Sequence, residues 1–385
     1  MKRVVIVGGG MAGLASAKVL SRHFEEVILI KGHEPSQSHH LHVLLKSGQL
    51  SLERIFPKIS EKFEEAKCPF IDWAKDTLWE NGNHQFPQYG SPIKTYSMGR
   101  FFLNRLMMNE LTRLENVIMV DDKAIDFTFN NKAFVKTCKG QVFETDHVVL
   151  ATGEQFPLKK VGRILKEKTC EINLTYRSLL FRTKDLKMNN IEQYYYQLDP
   201  PYSYLGCVIS PIENGTSLVT LIESEAIFTK CTTVEDFFNK TKRVPGGKVY
   251  SMIKEAHPLS VVSTYRKNKM SKRIFDLKAL PKQLILVGDL HASLNPIFGQ
   301  GMSLTLLQIE LLKQKMGPNF SSLKFHQEVQ KLISYPFFLS HVGSLPQGPL
   351  KNGLRLFLKG CQKSPILHQF FLTHLHSLGN KKRLL

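Results

Sequence analysis

The feature that most constrains this chain is Gly8-x-Gly10-x-x-Gly13, placed directly after the apolar run of residues 4–7. Gly8 permits a tight turn, Gly10 lets the backbone approach a pyrophosphate, and Gly13 lets a helix pack closely on a strand. Each role requires the absence of a side chain. The stretch RVVIVGGGMAGLASAKVLSRHFEEVILI therefore reads as strand, glycine turn, helix and second strand, a β-α-β unit. Its helix N-terminus, which begins around Ala12, offers amide donors to an anion, so the unit reads as a dinucleotide site. One element is missing. Where an acid normally accepts hydrogen bonds from the adenosine ribose, the sequence has Lys31. Either Glu34 reaches back, or other groups hold the ribose, or a phosphate near it is wanted, as in NADP.

At 385 residues the chain is long enough for interleaved domains around a sizeable core. The expected fold class is α/β. A Rossmann-like dinucleotide-binding part would use residues 1–160 and 266–325, and an antiparallel-sheet substrate domain would span 161–265. The Trp- and Pro-containing stretch 70–97 would add to the substrate layer, and 326–385 would form a helical C-terminal region interrupted at Pro336, Pro346, Pro349 and Pro365. Six scattered cysteines without a C-x-x-C pair argue against zinc and dithiol chemistry and fit a reducing, cytoplasmic compartment. Met1-Lys2-Arg3 followed by valines looks superficially like a signal peptide, but Gly8–Gly10 break the apolar stretch.

The second informative stretch is QLILVGDLHASLNPIFGQGMSLTLL. A buried strand delivers Gly288-Asp289, a loop holds Asn295-Pro296, and Gly299-Gln300-Gly301-Met302 opens a helix. An aspartate here can hydrogen-bond a ribityl hydroxyl. A helix N-terminus aimed at the flavin pyrimidine edge would stabilise the negative charge that reduction places there.

With these motifs in view, the sequence resembles the class A flavoprotein monooxygenases, the superfamily of aromatic hydroxylases, squalene epoxidase, flavin halogenases and geranylgeranyl reductases. The resemblance runs over most of the chain and includes Gln37-x-x-His40-x-His42, YSMGRFFLNRLMMNEL, HVVLATG and the strand led by Tyr176. It implies FAD contacts from His40, Arg100, Ala124, Thr152 and Gly153 beside the two glycine turns. It also implies that NADPH or NADH visits transiently to reduce FAD, that dioxygen adds at C4a, and that the hydroperoxide passes an oxygen atom to an apolar or aromatic small molecule. Departures are Lys31, His39 where arginine is common, Glu154 after the Ala151-Thr152-Gly153 turn, and Leu179 in the Tyr176 strand. The halogenase W-x-W-x-I-P stretch is absent. Two rival readings follow: a flavin-dependent reductase or dehydrogenase of a polyisoprenoid, and a degenerate flavin-fold binding protein.

No catalytic residue is identified, since the cofactor carries the chemistry and no strong general base is required. Tyr176, Tyr195 and His291 are substrate-pocket candidates, with core packing the plainer reading of each. Metal binding is not expected, because the histidines lack helical i, i+4 spacing. The formal charge of +19 is concentrated late: after Glu328 no acid follows, and eight Lys or Arg do. Nucleic acid is not an expected partner, as no aromatic platform interleaves these charges. Lys351, Arg355, Lys359 and Lys363 recur every four residues, which fits either a solvated helix face or peripheral contact of residues 351–385 with an anionic membrane.

Overall fold

The structure, a computed structural model, describes residues 2–32, 39–82, 84–153, 163–225 and 229–378. Glu34, Gln37, Ser38 and Glu154, singled out above, lie outside the described residues. The first strand, Arg3–Val7, sits at the centre of a five-stranded parallel sheet. Glu26–Lys31 and Val117–Asp121 lie on one side of it, His147–Leu150 and Leu284–Leu286 on the other. Because both faces are covered, the strands read as continuous apolar runs. Val4, Ile6, Val27 and Leu29 point toward a helical layer that includes Met11–Leu20, Lys46–Ile55, Arg100–Leu111 and Gln300–Lys315. Val5, Val7, Ile28 and Ile30 point the other way, onto a three-stranded antiparallel sheet of residues 124–145. The late strand Leu284–Leu286, far off in sequence, thus completes the sheet begun at residue 3.

The second sheet has eight strands, in the order Ala292–Ser293, Ser263–Phe275, Ile164–Arg182, Thr216–Ser224, Leu205–Ile212, Gln193–Tyr196, Thr77–Asn81 and His84–Gln85. Pairing is antiparallel except between Gln193–Tyr196 and Thr77–Asn81, which run parallel. The Ser263–Phe275 strand spans the boundary expected near residue 265, because its long pairing with Ile164–Arg182 carries it toward the parallel sheet. One face is closed: Leu179, Phe181, Tyr194 and Leu221 pack under the helices Val234–Thr241 and Lys248–Ile253. Within it lies an ion cluster in which Arg177 pairs with Glu223, and Lys240 Nζ lies 3.0 Å from the same carboxylate.

The other face meets the C-terminal helices Ser334–Ser344, Pro349–Lys363 and Pro365–Leu375, while Ser322–Leu332 packs on Gln300–Lys315 and the last parallel strand. Pro349 and Pro365 open their helices, where a missing N–H costs nothing, and Pro336 falls in a first turn. Among the described residues, no helix is long and apolar enough to cross a membrane.

Candidate flavin cleft and adjoining chamber

The two glycine turns meet. Gly8 has φ +120°, and a Cβ there would stand 2.4 Å from the Ala151 carbonyl oxygen, so the Ala151-Thr152-Gly153 turn is packed against the fingerprint. A Cβ on Gly13 would fall 1.7 Å from Gly8 O, whereas one on Gly10 would meet nothing within 4 Å. The tight positions and the open one are those the pyrophosphate reading requires. Gly288, at φ +70°, places its missing Cβ 3.3 Å from the Ala12 side chain, which joins the late Gly288-Asp289 turn to the start of the first helix.

Both helices that open onto this cleft have bare N-termini. Met11–Leu20 follows Gly10 and Gln300–Lys315 follows Gly299; neither has a side-chain cap or an acid in its first turn. Their unsatisfied amides and positive dipole ends are available to a ligand. The segment before Lys46–Ile55 is fitted onto the second helix: a Cβ on Gly299 would meet Val43 at 3.2 Å, and Leu45 N donates to Ser303 Oγ at 2.9 Å. Next to Gly299, Pro296 begins a short turn held by Asn295, whose Oδ1 accepts from Ile297 N at 3.1 Å and whose Nδ2 donates to Ser344 at 2.9 Å.

His40 is buried. Its Nδ1 lies 2.9 Å from Ser178 Oγ, which lies 2.8 Å from Thr220 Oγ1, and its Nε2 has no hydrogen-bond partner. Burial, with His39 adding to it, pushes its pKa down to about 4, so the imidazole is neutral. Thr152 Oγ1 and Gln300 Oε1 are likewise buried without partners. Orphaned polar atoms and a cradle that Cβ atoms would fill are what an FAD site should show before its ligand is added. Burial lowers the Arg100 pKa, against the opposing fields of Asp289 and Tyr265, which places these three side chains in one electrostatic neighbourhood.

Other candidates are placed differently. Lys31 forms an ion pair with Asp121, its register partner on the neighbouring strand, so a carboxylate stands one strand away from where the ribose-binding acid is usual. Ala124 belongs to the apolar layer beneath the parallel sheet, its side chain 9% exposed. His291 turns away from the cleft: it is fully buried, with Nε2 3.1 Å from Leu286 O and 3.3 Å from His326 Nδ1, and its ring lies edge-on to Phe275. The pocket expectation for His291 is thereby corrected. The short turn Gly288–Leu290 points it inward beneath the last parallel strand. Leu179, a departure noted in sequence, is closed-face core.

Between the eight-stranded sheet and the C-terminal helices lies a chamber of about 340 Å³. Ile297 and Phe298 of the flavin-side turn form one end, and Trp79, Tyr195, Leu358 and Phe371 contribute walls. The Tyr195 ring lies tilted against Trp79, with centroids 5.1 Å apart. Tyr176 is buried in the adjoining apolar cluster with Leu174 and Ile297, its hydroxyl without a partner and its pKa raised by burial. Asp199, Lys351 and Arg355 also line the chamber, and sequence reasoning missed this cluster. The basic stripe is consequently not one solvated face. Lys351 and Arg355 turn in to Asp199, at 3.2 and 3.0 Å, while Lys359 and Lys363 are exposed. The available signal was the apolar face carrying Leu354, Leu358 and Cys361, which holds Lys351 inward.

Residues 2–180 match the pyridine nucleotide-disulphide oxidoreductase family. Over 430 aligned residues the chain is 23% identical to Protein Rv3254 of Mycobacterium tuberculosis, covering 98% of this chain and 90% of that protein. Among solved structures, a tetrameric 2-methyl-3-hydroxypyridine-5-carboxylic acid oxygenase superposes with a TM-score of 0.70 at 17% identity, covering 88% of this chain and 90% of the other. The p-nitrophenol 4-monooxygenase PnpA of Pseudomonas putida DLL-E4 also gives 0.70, at 15% identity, over 99% of this chain and 100% of its own. In architecture this chain has the fold of these two oxygenases, a parallel sheet layered with helices and joined to a second, largely antiparallel sheet.

Proposed function

We propose that this chain is an FAD-dependent monooxygenase that uses NADPH or NADH and dioxygen to hydroxylate or epoxidise an apolar or aromatic small molecule. One observation carries the reading. The Asn295-to-Phe298 turn leads into the bare helix N-terminus of the cofactor cleft and also forms the end wall of the chamber. A molecule in that chamber is therefore in contact with the loop that would flank the flavin ring. Proximity of this kind is most of what a protein must add when a cofactor carries the chemistry.

The glycine turn at residues 8–13 would hold the pyrophosphate, with Thr152 and Gly153 beside it. Asp289 would take a ribityl hydroxyl, and the Gly299–Met302 turn would face the pyrimidine edge with His40 and Arg100 nearby. FAD, once bound, supplies electron transfer from the nicotinamide and the activation of dioxygen. Neutral His40 keeps one ring nitrogen for a hydrogen bond without adding a competing cation. The apolar walls around Trp79, Ile297 and Phe371 exclude water from the reacting end of the substrate.

The test is an anaerobic titration of purified protein with FAD and then NADPH, followed by oxygen, a trial aromatic compound and product mass. A flavin spectrum that bleaches and returns, with product heavier by one oxygen, is the expected result. Product altered only in hydrogen content would favour a reductase, and the absence of any spectral change with FAD would remove the enzymatic reading. Gly13→Val is the control that should not bind FAD, since its first side-chain atom has no room.

A further inference from the structure

The chamber wall carries a charged cluster. Lys351 Nζ donates to Gly343 O at 2.7 Å and lies 3.2 Å from Asp199 Oδ1, while Arg355 places Nε 3.0 Å from Asp199 Oδ2 and Nη2 3.0 Å from Oδ1. Two cations thus share one carboxylate, and Lys351 and Asp199 are both buried. Burial, together with the field of Arg355, holds the Lys351 pKa below its ordinary value despite Asp199, so the ammonium is under-compensated where it stands. A second anion beside it would recover part of that desolvation. Two further carboxylates, Glu171 and Glu225, line the chamber but are exposed, where water screens their opposing field.

Size points the same way. A sealed apolar cavity of about 150 Å³ is enough for benzene; this one holds about 340 Å³ and is lined by the rings of Trp79, Tyr195, Phe298 and Phe371. A single-ring compound would leave much of it filled with water against apolar walls.

We propose that the chamber takes a bulky, multi-ring apolar acid, its rings among Trp79, Tyr195, Phe298 and Phe371 and its anionic group at Lys351 and Arg355. This rests on the oxygenase reading for the fate of the molecule but not for its binding. The Lys351 and Arg355 pair sets substrate choice by charge, and the aromatic walls set size.

Three probes test it on the full chain, with and without FAD: anthracenecarboxylate, its neutral anthracenecarboxamide, and benzoate, followed by probe fluorescence or by competition. Anthracenecarboxylate should bind at least about tenfold more tightly than either of the others. Lys351→Gln should erase the preference over the carboxamide without weakening the carboxamide itself, and Arg355→Gln serves the same purpose if the first variant does not fold. Leu358→Trp, which fills the chamber, should weaken anthracenecarboxylate more than benzoate. Equal affinity for the acid and the amide, or for one ring and three, would overturn the proposal. Failure of FAD to bind while the probes keep this order would instead strike the oxygenase reading and leave the substrate class standing.

Discussion

The two faces of the eight-stranded sheet carry the same charge pattern to different ends. On the closed face Arg177 and Lys240 share Glu223 beneath a helix, with side-chain exposures of 1%, 7% and 1%. On the open face Lys351 and Arg355 share Asp199 beside a cavity of about 340 Å³. Neighbouring residues of one strand, Tyr176 and Arg177, point to the two faces, as pleating requires. Two cations on one carboxylate amount to a buried structural cross-link where protein surrounds them, and to a recognition element where space adjoins them. Void, not charge, separates the two roles.

The largest test of this contrast is Glu223→Ala. Leaving Arg177 and Lys240 buried without their carboxylate should cost about 3 to 5 kcal/mol in urea unfolding, and the folded fraction should bind chamber probes normally. Altered probe affinity would show that the closed face is not merely structural.

Acid should act next, and on the open side. His368 and His376 are buried on the last helix and at its end, beside the chamber-lining Phe371 and Leu375, held by burial at about 4 and about 3 against an ordinary 6.5. Below the ordinary value the unfolded chain takes up protons that the folded wall refuses. Stability therefore falls as pH drops from 6.5 toward these values, by about 1.4 kcal/mol per pH unit for each group. Hydrogen exchange at pH 7 and pH 5 should show protection lost in 349–376 before 234–253; the reverse order would break the comparison.

Asp199→Ala should be milder in unfolding, about 2 kcal/mol, because Arg355 is more open than Arg177, at 14% against 1%, and keeps backbone acceptors at Pro200 and Pro346. It should change the acid-over-amide preference of the probes, which Glu223→Ala does not. Smallest is the double change Lys359→Glu and Lys363→Glu at exposed positions, expected to move stability by no more than about 0.5 kcal/mol. Sedimentation with anionic liposomes should be the same for both proteins; a clear loss in the variant would restore a membrane role to this helix.

The cofactor side was legible in the sequence because its requirements are local. Gly8, Gly13 and Gly288 each stand where a side chain has no room or the backbone is left-handed, and such positions announce themselves by residue type. That the late strand 284–286 belongs with the strand at 3–7 was legible from their continuous apolar runs, each leading into a glycine turn. The chamber was not legible, since it draws on Trp79, Tyr195, Phe298, Lys351 and Phe371, segments that no periodicity links. Helical spacing grouped Lys351 with Lys359, yet spacing cannot reveal that Asp199 awaits one of them. His291 was misjudged for a similar reason: proximity to Asp289 in the chain says nothing about which side of a one-turn helix it takes.

The end of the last helix is tied across the cleft. His376 Nδ1 accepts from Lys46 N at 3.0 Å, and Leu375 O accepts from Gln300 Nε2 at 3.5 Å. Phe371 and Leu375, one turn apart on the same rod, stand in the chamber wall. Any shift of the Gln300 turn is therefore transmitted as a lever arm to the room where the guest sits, so the two compartments share one moving part.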